Sequence, residues 1–202
     1  IGFAGGKGNK NWILYSAYAR QHFGLDLASQ TTVKFAAPPM LNQLMLRDQL
    51  DAVVNFWHYA AELKTHDKHS LLTMNEVLGS WQISADVPVI GWLFKQSWAA
   101  ENPALVDQFF AMSFATRAKM NEDDNLWQCI PSFTQKYSDD ARPVLIAHYR
   151  AGIPTRFDAS IKADLQKLFK VLKANEGTTG VTGALQSLPD SLFWQSPALA
   201  GQ

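Results

Sequence analysis

Cysteine is almost missing from this sequence. One residue, Cys129, excludes an intrachain disulfide and any cysteine-based metal cluster, and it leaves oxidising and reducing compartments equally open. Charge of one sign is missing too. Eighteen Lys and Arg balance 18 Asp and Glu, so there is no electrostatic footprint for a nucleic acid or an anionic membrane surface. No apolar run approaches the roughly 20 residues that span a bilayer. Nor does a charged start, apolar block and small-residue cleavage site mark a signal peptide. Ile1 stands inside what reads as a strand, with no initiator Met, so the sequence reads as a mature or truncated piece. Internal repeats and low-complexity blocks are also lacking. What remains is a 202-residue chain with 47% hydrophobic residues, enough to fill the core of one substantial domain or two small lobes.

Nucleotide signatures fail at the first candidate. GGKGNKNW, Gly5 to Trp12, follows a short apolar strand and runs into a helix, but a P-loop needs two glycines four residues apart followed by Lys and a magnesium-holding Ser or Thr. Here Lys7 follows the paired glycines, and positions 8 and 9 are Gly and Asn. The dinucleotide fingerprint is absent as well, with glycines at 2, 5, 6 and 8 and no acidic residue before Asp26. Two readings of the turn remain. Backbone N–H groups at a helix start, beside Lys7 and Lys10, can receive a small anion or polar group; or Gly5, Gly6 and Gly8 only permit a tight turn.

Metal and calcium motifs fare no better. His58, His66 and His69 fall close together, but their spacing matches no H-E-x-x-H helix, and Lys68 adds like charge. Glu122-Asp123-Asp124 reads as a solvated helix start, without the repeated oxygen ligands of a calcium loop. No metal and no cofactor is expected.

The first part of the chain alternates strand and helix. IGFAG is a strand, and Asn9 to His22 carries Trp12, Ile13, Tyr15, Ala17, Tyr18 and Ala19 at helical spacing, ended by Phe23-Gly24. Thr31 to Ala37 reads as a second strand, bounded by Pro38-Pro39, and Pro39 suits the first turn of the helix MLNQLMLRDQ. Leu50 to Phe56 reads as a third strand, apolar enough to be buried on both faces. Single helices between short strands imply parallel βαβ units, whose ligands collect at the carboxyl ends of the strands. Gly5 to Asn11, Ala37 to Pro39 and Asn55 to Tyr59 therefore converge.

The second half reads as helices. Asn102-Pro103 opens one with Leu105, Val106, Phe109, Phe110, Met112 and Phe114 as an apolar face, read as core. Asp158 precedes another, in which Leu165, Leu168, Phe169, Val171 and Leu172 recur at helical spacing up to Gly177. GTTGVTGAL is loop chemistry, and the tail SPALAGQ is expected to fray.

The glycine turn into a helix, followed by PPMLNQLMLRDQLDAVVNFWHYAAEL, is similar to the periplasmic solute-binding proteins of ABC transporters in the nitrate, sulfonate, taurine and thiamine-precursor group. The matching parts are Gln49-Leu50-Asp51-Ala52, Phe56-Trp57, a crossover strand Val87 to Phe94, the helix opened by Asn102-Pro103, YRAGIP (Tyr149 to Pro154) and LPDSLFW (Leu188 to Trp194). The resemblance implies an α/β, type II periplasmic-binding-protein-like fold. Residues 1–86 would form a parallel βαβ lobe, and 87–202 a crossover strand and the mainly helical part of an incomplete second lobe. The family's usual earlier βα units do not precede Ile1 in this sequence.

By the same resemblance the protein is periplasmic, is not an enzyme, and captures a small polar or anionic organic solute between lobes for an ABC permease. The candidate ligand-binding residues are Gly5, Gly6, Lys7, Asn9, Asn11, Pro38, Asn55, Trp57, His58 and Tyr59. Aromatic and amide groups together suit a pocket with an apolar wall and a few directional hydrogen bonds. The resemblance favours Trp57 as that wall, while Trp57 and Tyr59 could equally be core and His58 a structural imidazole. Asp51 suits orienting a turn better than touching a ligand. Two other functions stay in play. One is an enzyme on the same fold, although the related fungal thiamine-pyrimidine synthases need a cysteine-rich motif that Cys129 alone does not supply. The other is an accessory protein that binds a protein partner, such as a quinoprotein dehydrogenase system.

Overall fold

A computed structural model of the chain describes residues 1–154 and 156–195. In chain order the elements are β1 (Gly2–Ala4), α1 (Lys10–Phe23), α2 (Leu27–Gln30), β2 (Lys34–Ala36), α3 (Pro38–Leu46), β3 (Val53–Val54), α4 (Trp57–Lys64) and α5 (Met74–Gly79). There follow α6 (Gln96–Glu101), α7 (Pro103–Glu122), α8 (Asn125–Gln128), α9 (Pro131–Lys136), α10 (Ala141–Ala151) and α11 (Ala159–Asn175). The tail expected to fray, 196–202, lies outside the described residues. The chain is mixed α/β, with a three-stranded parallel sheet in the order β2-β1-β3. It divides into two compact units, Ile1–Val87 with Pro154–Leu188, and Pro88–Ile153 with the segment from Pro189.

Strand order fixes where the helices of the first unit lie. The chain moves from β1 to one neighbour and then crosses β1 to reach the other, so right-handed connections put α1 and α3 on opposite faces. The pleat agrees with this. Phe3 points to the α1 face, where its ring meets Trp12 edge-on at 4.9 Å and Phe35 at 6.3 Å. Gly2 and Ala4, one residue either side, face α3 and the buried Leu41 and Leu50. Small residues on this side let the helix approach. A Cβ on Gly2 would stand 2.8 Å from methyl groups of both leucines.

Local chemistry sets the ends of α1. Asn9 accepts from Asn11 N at 2.8 Å as N-cap, and Gly24, at φ 64°, supplies the left-handed residue that closes the helix. Its buried Leu14 joins Val77 and Leu78 of α5, Ile83, Val87 and Leu168 of α11 in one cluster. This contact places α11 in the first unit, whereas the sequence reading grouped it with 87–202. Asp164 on α11 reinforces it by accepting from Ser84 N at 2.8 Å.

Several expected strands shrink or disappear. Thr31 caps α2 through its hydroxyl to Leu27 O at 2.7 Å, which leaves only 34–36 for β2. The third strand is two residues long and half-buried, because β3 is the sheet's edge and pairs with β1 alone. The expected crossover strand, residues 87–94, is not a strand. Val87 is buried in the cluster around Leu14, Pro88 brings no N–H, and Ile90 and Leu93 are exposed.

In the second unit, Trp127 is buried with its ring 5.1 Å from Phe133 and 5.0 Å from Tyr149. Helix α7 departs from expectation. Val106 is buried, but Leu105, Phe109, Met112 and Phe114 are exposed, so the face read as core is largely surface. A helical period reports one apolar stripe and says nothing of whether a partner covers it.

The predicted cap of α11 is present. Asp158 accepts from Ser160 N at 2.9 Å and Ile161 N at 3.1 Å, and the Ser160 hydroxyl, the Ile161 N–H and the neighbouring Arg156 guanidinium hold its pKa down to about 2. A depressed folded-state pKa stabilises above the unfolded value of about 3.9 and stops doing so as pH falls through the folded one. Asp158→Asn keeps a capping acceptor and removes the charge. The variant is expected to melt below wild type at pH 7, with the gap closing between about pH 4 and 2. A gap that stayed constant over that range in thermal melts would contradict this account of Asp158.

Candidate functional site

The carboxyl ends of the three strands form the candidate site, and each is shaped by its own turn. After β1, Gly5 takes φ 86° and donates its N–H to Ala36 O at 3.1 Å, which ties the turn to the end of β2. A side chain there would meet Asn9 Nδ2 at 3.1 Å, so glycine is needed for both conformation and space. Asn9 donates from Nδ2 to Ala4 O at 3.0 Å while its Oδ1 caps α1. The side chain of Asn9 therefore builds the turn, and Gly6, Lys7 and Gly8 are left exposed on its outside. Asn11 is half-buried in the first turn of α1.

A network of amides holds the edge from the other side. After β3, Asn55 donates from Nδ2 to Pro38 O and to Asn42 Oδ1, both at 3.0 Å, and its Oδ1 accepts from Phe56 N at 2.9 Å. Asn42, only 4% exposed on α3, donates to Tyr59 O at 3.0 Å and Glu62 Oε2 at 3.3 Å. Pro38 opens α3 at its first position, one residue earlier than the Pro39 expected from sequence, and offers its carbonyl to this network. Asn42 was not singled out from the sequence. Its one visible signal is an amide pair, Asn42-Gln43, set between Met40-Leu41 and Leu44-Met45, and nothing in the sequence says which of the two turns inward.

The aromatic residues after β3 divide. Trp57 is 46% exposed and Phe56 is also exposed, so neither is core, while His58 and Tyr59 are half-buried. The His58 ring lies 5.3 Å from that of Trp57 and 4.4 Å from that of Tyr59. Met40 is exposed in the first turn of α3. Asp51 lies at the opposite end, exposed before β3 begins.

Topology brings these turns to one end of the sheet. In an open parallel sheet the ligand position is where consecutive connections leave in opposite directions, which for the order β2-β1-β3 falls between the carboxyl ends of β1 and β3. The Gly5 turn stands on one side and Asn55 to Trp57 on the other. Exposed backbone N–H groups, the Lys7 ammonium and an indole face are what the arrangement offers chemically: directional donors, one positive charge and an apolar wall.

Among the described residues, no group of three or more His, Cys, Asp or Glu is placed to hold a metal ion, and no helix is long and apolar enough to cross a membrane. No protein-family model matches the chain, and no curated protein matches it significantly.

Proposed function

We propose that the chain is the solute-binding component of an ABC import system, taking a small polar or anionic organic solute at the crevice between β1 and β3. The observation that carries the reading is the half-exposed Trp57 indole just after β3, on the same carboxyl side of the sheet as the exposed glycine turn that follows the neighbouring β1. In this reading Trp57 is the apolar wall, and the turn from Gly5 to Lys7 supplies N–H donors with the Lys7 charge behind them. Asn9, Asn55 and Pro38 act on the solute indirectly by holding the turns in place, with His58 and Tyr59 supporting the indole. The reading extends to a type II periplasmic-binding-protein-like arrangement, a periplasmic location and an ABC permease as partner. The sheet order and the sequence resemblance both favour it.

A thermal-shift and calorimetric screen with taurine, short alkanesulfonates, nitrate and thiamine-precursor pyrimidines tests it. One of these is expected to stabilise the protein, by about 2.7 kcal/mol when present at a hundred times its dissociation constant. Trp57→Ala should weaken that solute at least tenfold, while Asp158→Asn leaves it unchanged. Absence of any stabilisation at millimolar concentrations would sink the reading.

A further inference from the structure

One face of α7 carries a feature that a solute-binding role at the sheet does not use. Phe109, Met112, Thr116 and Arg117 fall at helical spacing along it, and with Trp92 and Tyr149 they line a groove of ≈ 380 Å³. Trp92 and Phe109 form its aromatic wall, their rings edge-to-face at 5.0 Å and 84°. Met112, 70% exposed, lies along the open side with a flexible, polarisable thioether. Thr116 turns its hydroxyl back to Met112 O at 2.8 Å and so adds little polarity to the groove. Arg117 is the exception. It is half-buried and has no hydrogen bond, ion pair or ring contact among the described residues.

The other arginines of this unit with a described ion pair show the contrast. Arg142 is held by Asp139 at 2.5 Å and by backbone carbonyls, and Arg150 by Asp124 at 2.6 Å and Met120 O. A guanidinium that is partly withdrawn from water and lacks an internal acceptor is a fork of donors awaiting a planar anion. The aromatic wall next to it favours a flat apolar body laid along an open groove. With a formal net charge of +0, the chain has no general attraction for anions, so selectivity for one must come from this local group.

We infer that this groove is a second ligand site, one that binds a small aryl carboxylate with its carboxylate on Arg117 and its ring against Trp92, Phe109 and Met112. The bidentate carboxylate–guanidinium pair gives the orientation, and the ring contacts give the affinity.

Titration of the full chain with naphthylacetate and its neutral isostere naphthylacetamide, followed by NMR, is the test. The acid is expected to bind at least tenfold tighter than the amide to wild type. Arg117→Gln should abolish that preference while leaving the amide's affinity unchanged. Arg117→Lys keeps charge and stem but loses the planar fork, so it should show an intermediate preference; it replaces the glutamine variant if that one is unstable. Equal binding of acid and amide, no saturation at millimolar ligand, or an undiminished preference in either variant that folds would overturn the inference. So would a dimer in sedimentation that Met112→Glu dissociates and that binds neither compound, because the groove would then belong to a second copy of the chain.

Discussion

Gly2→Val is expected to destabilise the protein by about 3 kcal/mol, the upper end of what overpacking a closed core costs. The first added carbon already falls 2.8 Å from Leu41 Cδ2 and Leu50 Cδ1, and Leu41 is fully buried, so neither methyl has free space to yield into. Valine adds two more carbons in the same place. The strand can relieve the clash only by pushing α3 away from the sheet, which also opens the contacts of Ala4 with that helix. Gly2→Ala should lose about half as much. Urea unfolding of the two variants beside wild type measures both. A valine variant as stable as wild type would mean that α3 does not sit as close to β1 as described.

Asn42→Ala is expected to cost about 2 kcal/mol and to weaken solute binding at the sheet edge as well. The substitution leaves Asn55 without its side-chain acceptor and removes the donor to Tyr59 O and Glu62 from a site that is nearly closed to water. Those bonds join α3 to the start of α4, where Trp57 stands, so the indole loses part of its support. Asn42→Leu fills the space without restoring a bond and separates cavity from polar effects. If both variants lay within about half a kcal/mol of wild type, in the range of ordinary surface substitutions, the network would be incidental.

Features with local causes were the legible ones. Asn9 and Gly24 bound α1 because a cap and a left-handed closure need particular residue types at particular places, and Asp158 marked α11 for the same reason. The convergence of the Gly5, Pro38 and Asn55 turns followed from the parallel βαβ order, which needs only the sequence of elements. Length and neighbours were less visible. β3 is two residues long because it pairs only with Gly2 and Phe3 of β1, and that depends on where β1 lies beside it rather than on the apolar run LDAVVNF. The exposure of Phe109 and Met112, and the attachment of Leu168 to Leu14, depend on which surfaces meet across long stretches of chain. Asn42 was hidden because an amide within a helix has the same appearance in sequence whether it faces solvent or closes a network.

The return of α11 to the first unit also sets an order of events during synthesis. Leu14, Val77 and Leu78 leave the ribosome long before Leu168, the residue that completes their cluster. Until the chain beyond Pro154 has been made, the α1 surface that α11 covers stays wet, and the roughly 65 intervening residues must be closed as a loop at a cost of about 4 kcal/mol in chain entropy if they are still unstructured. Folding of Pro88–Ile153 in that interval shortens the effective loop and lowers the cost. A ribosome paused before Ala159 therefore holds a nascent chain in which the helices of both sheet faces, α1 and α3, have been made while the side of α1 that α11 covers is still bare.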